Sequence, residues 1–273
     1  MAEEERLSDQ EFLRYQRQIS LQDIGEEGQL KLKNASVLIV GCGGLGNVAA
    51  LYLAAAGVGK LLLADGDVVE DSNLQRQVAY REFDCGTQKA VALLNQINEL
   101  NAEVDVEINC HYLKGSQFQN VAEDVDLVLD CCDNFATRQE VNRACRELRL
   151  PLISGSAIGW KGQLVSFAFH KYLSPCYHCL YPFKHNDTQA NCLQGGIVGP
   201  VAGMIGTAQA LQAITYFTQS KSLSWSVLHV FDALTFEWQA LHLMQDDECL
   251  VCGSNKENSH LDQGEEVYAH LAQ

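Results

Sequence analysis

Apolar positions fall first into short runs and later into alternation along this chain, and the change divides it in two. Val37-Leu38-Ile39-Val40, Leu61-Leu62-Leu63-Ala64, Val125 to Leu129 and Leu152 to Ala157 are predominantly apolar runs, the pattern of strands covered on both faces of a parallel sheet. Helices are predicted between them over Val48 to Ala56, Thr87 to Leu100 and Thr137 to Leu148, and a further strand over Val104 to Ile108. At the amino end Ser8-Asp9-Gln10-Glu11 is a capping box followed by Phe12, Leu13 and Tyr15, so a helix is expected with Arg14 and Arg17 on one face. A second helical stretch, Gly28 to Lys33, leads into the first strand. Beyond Gly162 the pattern changes: Gly162 to Phe169 alternates, and Leu228 to Leu243 reads as a hairpin turning near Ala233. Between them lie a polar loop, Lys184 to Gly196, and a Gly- and Ala-rich apolar helix, Val201 to Phe217, suited to a core or a subunit interface.

The chain has 273 residues, 47% of them hydrophobic, which is ample for a core. A net charge of −16 argues against a nucleic-acid surface, which needs dense Lys and Arg patches. No apolar run reaches the roughly eighteen residues of a membrane helix, and Met-Ala-Glu-Glu-Glu-Arg is acidic where a signal peptide is basic. The expected location is the cytoplasm, with no membrane contact.

The first apolar run passes straight into Gly41-Cys42-Gly43-Gly44-Leu45-Gly46 and then a helix, the order of a nucleotide loop. Gly41 permits the turn, Gly43 lets backbone approach the ligand, and Gly46 lets the helix pack on the sheet. The helix N-terminus favours an anion. Asp65, ending the second run, is placed to hold a ribose hydroxyl. The loop contains no lysine, so it is not a Walker-type phosphate loop. Cation for phosphates must come from outside it, and Arg76 of Ser72-Asn73-Leu74-Gln75-Arg76-Gln77 and Lys89 are the candidates. Asp133, after Asp130-Cys131-Cys132, closes another strand, and parallel strands gather their carboxyl ends along one edge. A carboxylate facing phosphates implies Mg²⁺ between them.

Eleven cysteines do not form a secreted disulfide framework in a chain this core-rich. Cys42, Cys110, Cys131, Cys132 and Cys145 read as small buried residues. Cys176-Tyr177-His178-Cys179 and Cys249-Leu250-Val251-Cys252 are two CxxC pairs suited to a closed, structural Zn²⁺ site. The redox alternative needs a CxxC at a helix start in a thioredoxin-like unit, which the sequence does not offer. Cys192, in the polar loop, is either a reactive thiol or a plain free cysteine.

With the glycine loop, Asn73-Leu74-Gln75-Arg76-Gln77, Asp130-Cys131-Cys132-Asp133-Asn134 and both CxxC pairs in this order, the chain resembles the ThiF/MoeB/HesA family of ubiquitin-activating-like adenylyltransferases over about Gln10 to Gly253. The resemblance implies an α/β, Rossmann-like ATP-binding fold whose parallel sheet continues into antiparallel strands, with a structural zinc site. It implies one adenylation domain over 1–253, divided into a helical arm (1–34), a nucleotide-binding half (35–160) and an antiparallel, zinc-bearing half (161–253), then a polar tail (254–273). The implied reaction is ATP-dependent adenylylation of the C-terminal Gly-Gly carboxylate of a small ubiquitin-like sulfur-carrier protein, for thiamine or molybdopterin synthesis. In the carry-over Gly41, Gly43, Gly44 and Gly46 form the nucleotide loop, Asp65 holds the ribose, Asn73, Arg76 and Lys89 neutralise phosphates, and Asp133 binds Mg²⁺. Arg14 is implied to enter the partner's site across a homodimer, and Cys192 to bond the carrier or handle sulfur. No sulfurtransferase segment follows Gly253, so a separate sulfur donor such as a cysteine desulfurase is expected. The alternatives are an NAD-dependent dehydrogenase, which leaves Asp133 and the zinc pairs unexplained, and a catalytically silent carrier-binding scaffold.

Overall fold

The computed structural model describes residues 6–170, 174–182, 196–219 and 222–253. Two helices, α1 (Asp9–Ile19) and α2 (Gly25–Lys33), precede β1 (Ser36–Val40), α3 (Gly46–Ala56), β2 (Lys60–Ala64), α4 (Lys89–Leu100) and β3 (Asp105–Asn109). The chain continues through α5 (Ser116–Ala122), β4 (Leu127–Asp130), α6 (Phe135–Leu148), β5 (Leu152–Ile158) and β6 (Lys161–Phe167). Then come a single turn, α7 (Tyr177–Leu180), the long α8 (Gly199–Gln219), β7 (Val227–Asp232) and β8 (Glu237–His242). The described strands form one sheet in the order β3-β2-β1-β4-β5-β6-β7-β8. The first five are parallel and the last three pair antiparallel, as the change from runs to alternation anticipates.

Strand β1 is buried along its whole length, which is why it reads as an unbroken apolar run. One face of the sheet, with Val37, Ile39, Leu61 and Leu127, packs against α3, α4 and α8. The other, with Leu38, Val40, Val128 and Phe167, packs against α5, α6 and the four CxxC cysteines. Helix α8 belongs to the core: Val201, Ala202, Ile205, Ala210 and Ala213 are buried. Gly206 brings it close to the start of α3, since a Cβ there would lie 2.3 Å from the Leu45 carbonyl oxygen. Among the described residues no helix is long and apolar enough to cross a membrane.

Three elements depart from the sequence reading, one of them the single turn α7, which lies across the first CxxC where no helix is expected. Helix α2 starts at Gly25, whose φ of +58° makes the entry turn, rather than at Gly28. Helix α5 was not foreseen: its seven residues bury only Phe118 and Ala122, too little for a visible helical period. Cys42, Cys131, Cys132 and Cys145 are buried as expected, whereas Cys110 is only partly so. The sequence-based assignments to the polar loop 184–196 and the tail 254–273 lie, except for Gly196, outside the described residues.

Candidate active site and metal centre

Strand β1 lies between β2 and β4, so chain direction through the sheet reverses beside it, and the carboxyl edge there is a switch point. The glycine loop emerges at that edge. Gly41 has a φ of +93°, and a Cβ there would sit 2.8 Å from the Cys131 carbonyl oxygen, so the loop lies against the segment leading to Asp133. At Gly46 a Cβ would fall 1.8 Å from the Gly41 carbonyl oxygen, which no side chain tolerates. Asn47, fully buried, fixes the loop from within: its amide donates to the Gly43 carbonyl and its carbonyl accepts from Ala79 N–H at 3.3 Å.

The 72–77 segment folds over this loop. Asn73 closes a single 3-10 turn, accepting from Glu70 N–H at 3.3 Å, and its carbonyl accepts from the Arg76 and Gln77 N–H groups. Arg76 donates to the Ser72 carbonyl at 3.0 Å, with its aliphatic stem 3.5 Å from where a Gly44 Cβ would stand. Gln77 is buried beside Gly43 with its Oε1 unpartnered among the described residues. Sequence reasoning missed it as a site residue.

Asp65 sits at the end of β2 with both oxygens engaged, one accepting from Cys42 N–H at 2.7 Å and the other from Asp67 N–H at 2.8 Å. Each retains a lone pair for a further donor. Burial pushes its carboxyl above the ordinary value, against the opposing pull of Lys89 and the two N–H groups. Lys89 begins α4 with its side chain only 9% exposed, and its ammonium lies 2.9 Å from Asp67. A cation at a helix N-terminus is unfavourable alone, so Asp67 makes this placement tolerable. The carboxylate of Asp67 also accepts from the Tyr112 hydroxyl. Burial would raise the Asp67 carboxyl, but hydrogen bonds from Tyr112 and Lys89 outweigh it and leave it below the ordinary value. The same bond pushes the Tyr112 hydroxyl up to about 12. Neither Asp67 nor Tyr112 was recognised from the sequence; the Asp65-Gly66-Asp67 repeat of acids was the available signal.

Asp133 is exposed just past β4, and its charge acts on Tyr112 together with those of Asp67 and Asp65. Its loop is held from below. Arg138 donates to Asp130 at 3.0 Å, to Ser154 at 3.2 Å, to the Gly155 carbonyl at 2.8 Å and to the Cys132 carbonyl. The structure thus gathers the glycine loop, Asp65, Asn73, Arg76, Lys89 and Asp133 on one edge. Arg14 is elsewhere: it donates to the Leu100 carbonyl at 3.0 Å, at the far end of α4 from Lys89, and cannot reach its own glycine loop. Cys192 lies outside the described residues. An open cleft of about 580 Å³ bounded by Glu27, Lys31, Asp126 and His170 lies at the opposite, amino edge of the sheet, where one lysine faces two acids. Its chemistry does not suit phosphates.

The two CxxC pairs converge. Cys176, Cys179, Cys249 and Cys252 place their sulfurs within 4.8 Å of one another, with separations of 3.9, 3.7 and 3.3 Å along three edges. Tetrahedral Zn–S bonds of about 2.3 Å put sulfurs about 3.8 Å apart, so the donor set fits zinc with no open position. Val251 N–H points to the Cys249 sulfur at 3.4 Å, and His178 Nδ1 lies 3.5 Å from it. Magnesium takes one or two carboxylates and completes its shell with water and phosphate oxygens, a demand Asp133 can meet without a prebuilt cage.

Known proteins are similar to this chain over most of its length. The chain is 42% identical to the sulfur carrier protein ThiS adenylyltransferase of Escherichia coli (strain K12), over 91% of this chain and 98% of that one. It is 41% identical to the adenylyltransferase and sulfurtransferase MOCS3 of Drosophila persimilis, covering 91% of this chain but 55% of that longer protein. Among solved structures, E. coli MccB with ATP superposes with a TM-score of 0.71 at 25% identity, over 83% of this chain and 69% of that one. E. coli MccB with MccA-N7isoASN, at 24% identity, shares the fold with a TM-score of 0.77 over 88% of this chain and 75% of that one. The ThiF family model matches residues 15–251, and the chain belongs to the ThiF family.

Proposed function

We propose that this protein uses ATP to adenylylate the C-terminal Gly-Gly carboxylate of a small ubiquitin-like sulfur-carrier protein, releasing pyrophosphate, in thiamine or molybdopterin synthesis. The observation that carries this reading is the meeting of the glycine loop, the 72–77 segment and the Asp133 loop at the switch point. The 42% identity to a ThiS adenylyltransferase along nearly all of its length supports the same reaction. The ATP named with MccB supports the nucleotide.

In this reading the glycine-loop amides and the start of α3 face phosphate, Asp65 accepts from the ribose, and Asn73, Arg76 and Lys89 offset charge on the polyphosphate. The carrier carboxylate is ionised at pH 7 and needs no general base. One of its oxygens bonds to the α-phosphorus as the bond from that phosphorus to pyrophosphate breaks, leaving a carrier acyl-adenylate. Holding two anions in line is the work, which is why the residues are cations and donors rather than bases. Asp133 would hold Mg²⁺, which would supply neutralisation of the phosphate oxygens. Arg14, too far from its own glycine loop, serves the site of a second subunit in a homodimer. Sulfur comes from a separate donor such as a cysteine desulfurase, with Cys192 available for the transfer, and the setting is cytoplasmic. The domain runs from 1 to 253 as an arm, a nucleotide half and a zinc half.

Exchange of labelled pyrophosphate into ATP tests the proposal, with thiamine-type and molybdopterin-type carriers assayed side by side. Exchange that requires one carrier and its terminal Gly-Gly is the expected result. A protein that binds ATP but exchanges with neither carrier would refute the reaction.

A further inference from the structure

Tyr112 belongs to none of the segments through which the nucleotide site is recognised. It comes from the loop after β3, and its ring lies against the backbone of Gly66, where a Cβ would stand 2.9 Å from two ring atoms. That overlay is possible only because the residue between Asp65 and Asp67 has no side chain. The ring is 57% exposed, so the contact is not made by core packing. Its hydroxyl donates to Asp67 Oδ1, while Lys89 Nζ, 2.9 Å away, occupies Asp67 Oδ2. Both oxygens of one half-exposed carboxylate are therefore committed, one to each neighbour.

We infer that Tyr112 is a positioning residue for nucleotide binding, its hydroxyl clamping Asp67 so that the Lys89 ammonium is aimed at the phosphates. The inference rests on the ATP site proposed above. The logic is geometric. An ammonium has three N–H donors, and a carboxylate fixed by Tyr112 takes one of them, leaving the others for phosphate oxygens. Released from Tyr112, Asp67 can turn both oxygens onto Lys89 and compete with the ligand for the buried cation of the site. Asp65, Asp67 and Asp133 all lie near enough to act electrostatically on Tyr112, so phosphates enter a negative neighbourhood in which the aim of Lys89 decides affinity.

The test is a double-mutant cycle read by calorimetric titration of the full chain with Mg·ATP, using Tyr112→Phe, Lys89→Met and the double variant. Tyr112→Phe keeps the ring on Gly66 and removes only the hydroxyl. Its dissociation constant for Mg·ATP is expected to rise about tenfold, the scale of one hydrogen bond to a charged group. In the Lys89→Met background the same change should have no further effect. Unchanged affinity in Tyr112→Phe, or equal weakening in both backgrounds, would overturn the inference, as would a lowered melting temperature without a change in affinity. A wild-type chain that binds Mg·ATP but exchanges no pyrophosphate with any carrier would refute the reaction and leave the Tyr112 result to stand or fall by the cycle. Failure of the wild type to bind Mg·ATP would overturn both.

Discussion

Arg138 and Asp130 form an ion pair at 3.0 Å, with side chains only 6% and 1% exposed, directly beneath the loop that carries Asp133. The same guanidinium takes the Cys132 and Gly155 carbonyls, so one side chain joins the end of β4 and the middle of β5 to the start of α6. Its value is geometric, since the planar fork meets several acceptors that an ammonium cannot span. Removing one partner of such a pair strands a buried charge.

Arg138→Gln should therefore destabilise the fold by about 3–5 kcal/mol in urea denaturation. Arg138→Lys keeps the charge but loses the fork. It should remain folded while requiring more Mg²⁺ for half-maximal pyrophosphate exchange, because Cys132 and hence Asp133 are no longer held. Unchanged Mg²⁺ dependence in a folded Arg138→Lys protein would remove Arg138 from the support of Asp133.

Helix α6 also reaches the cysteine centre. Asn142 accepts from Tyr177 N–H at 2.8 Å, beside Cys176, and Gln139 donates to the Tyr181 carbonyl at 2.8 Å. Arg138, Gln139 and Asn142 occupy one buried side of the helix, so the metal corner and the Asp133 loop are fixed to the same rod. Cys249→Ser, or prolonged chelation, should release close to one zinc per chain, lower the melting temperature by several degrees at least, and raise the Mg²⁺ requirement for exchange. Zinc loss measured by a colorimetric chelator with no thermal shift would contradict a structural role.

The parallel half was legible where its strands are buried on both faces, as β1, β2 and β4 are almost throughout, and where its helices bury a broad face, as α3, α4 and α6 do; exposed β3 showed only as alternation and the short α5 not at all. The glycine loop was legible because its spacing is local. What escaped depended on which loops meet in space. Asp67 gains its place in the site only from the Lys89 ammonium packed against it, and Tyr112 lies in a third crossover with no spacing that links it to either. Arg138 was hidden differently: an arginine in the first turn of a helix ordinarily faces water, and only the packing of α6 over β4 and β5 buries this one. Asp133, by contrast, needed only the rule that parallel strands end along one edge.

The arm carrying Arg14 is tied down by Glu11. Its carboxylate accepts from Ser8 N–H at 2.7 Å in the capping box and pairs with Lys33 of α2 at 2.8 Å. Burial would raise its pKa, and the bonds from Lys33 and Ser8 outweigh that, so the folded value lies below the ordinary glutamate value. A carboxyl depressed in the fold contributes stability that is complete above its unfolded pKa and is lost as pH falls through the folded one. Glu11→Gln should lower the urea midpoint by an amount worth about 1 kcal/mol at pH 7. The gap to wild type should hold down to about pH 5 and close below about pH 4. A gap independent of pH would show that the carboxylate charge is irrelevant.

Arg14 offers the sharpest test of assembly. Within its own chain it is bound to the Leu100 carbonyl, at the end of α4 remote from Lys89, so any role at a glycine loop must be played in a partner. Arg14→Ala and Asp133→Ala proteins should each be inactive in carrier-dependent exchange. After subunits are mixed and allowed to exchange, half the dimers are mixed, and each mixed dimer has one site combining an intact Asp133 with an intact Arg14 from its neighbour. Activity should return to about a quarter of wild type, the product of those two halves. Recovery cannot occur if Arg14 acts within its own chain, because neither parent subunit carries both residues. An Arg14→Ala protein with full activity would dismiss the arginine from catalysis, and a mixture that stays inactive despite demonstrated subunit exchange would dismiss the shared site.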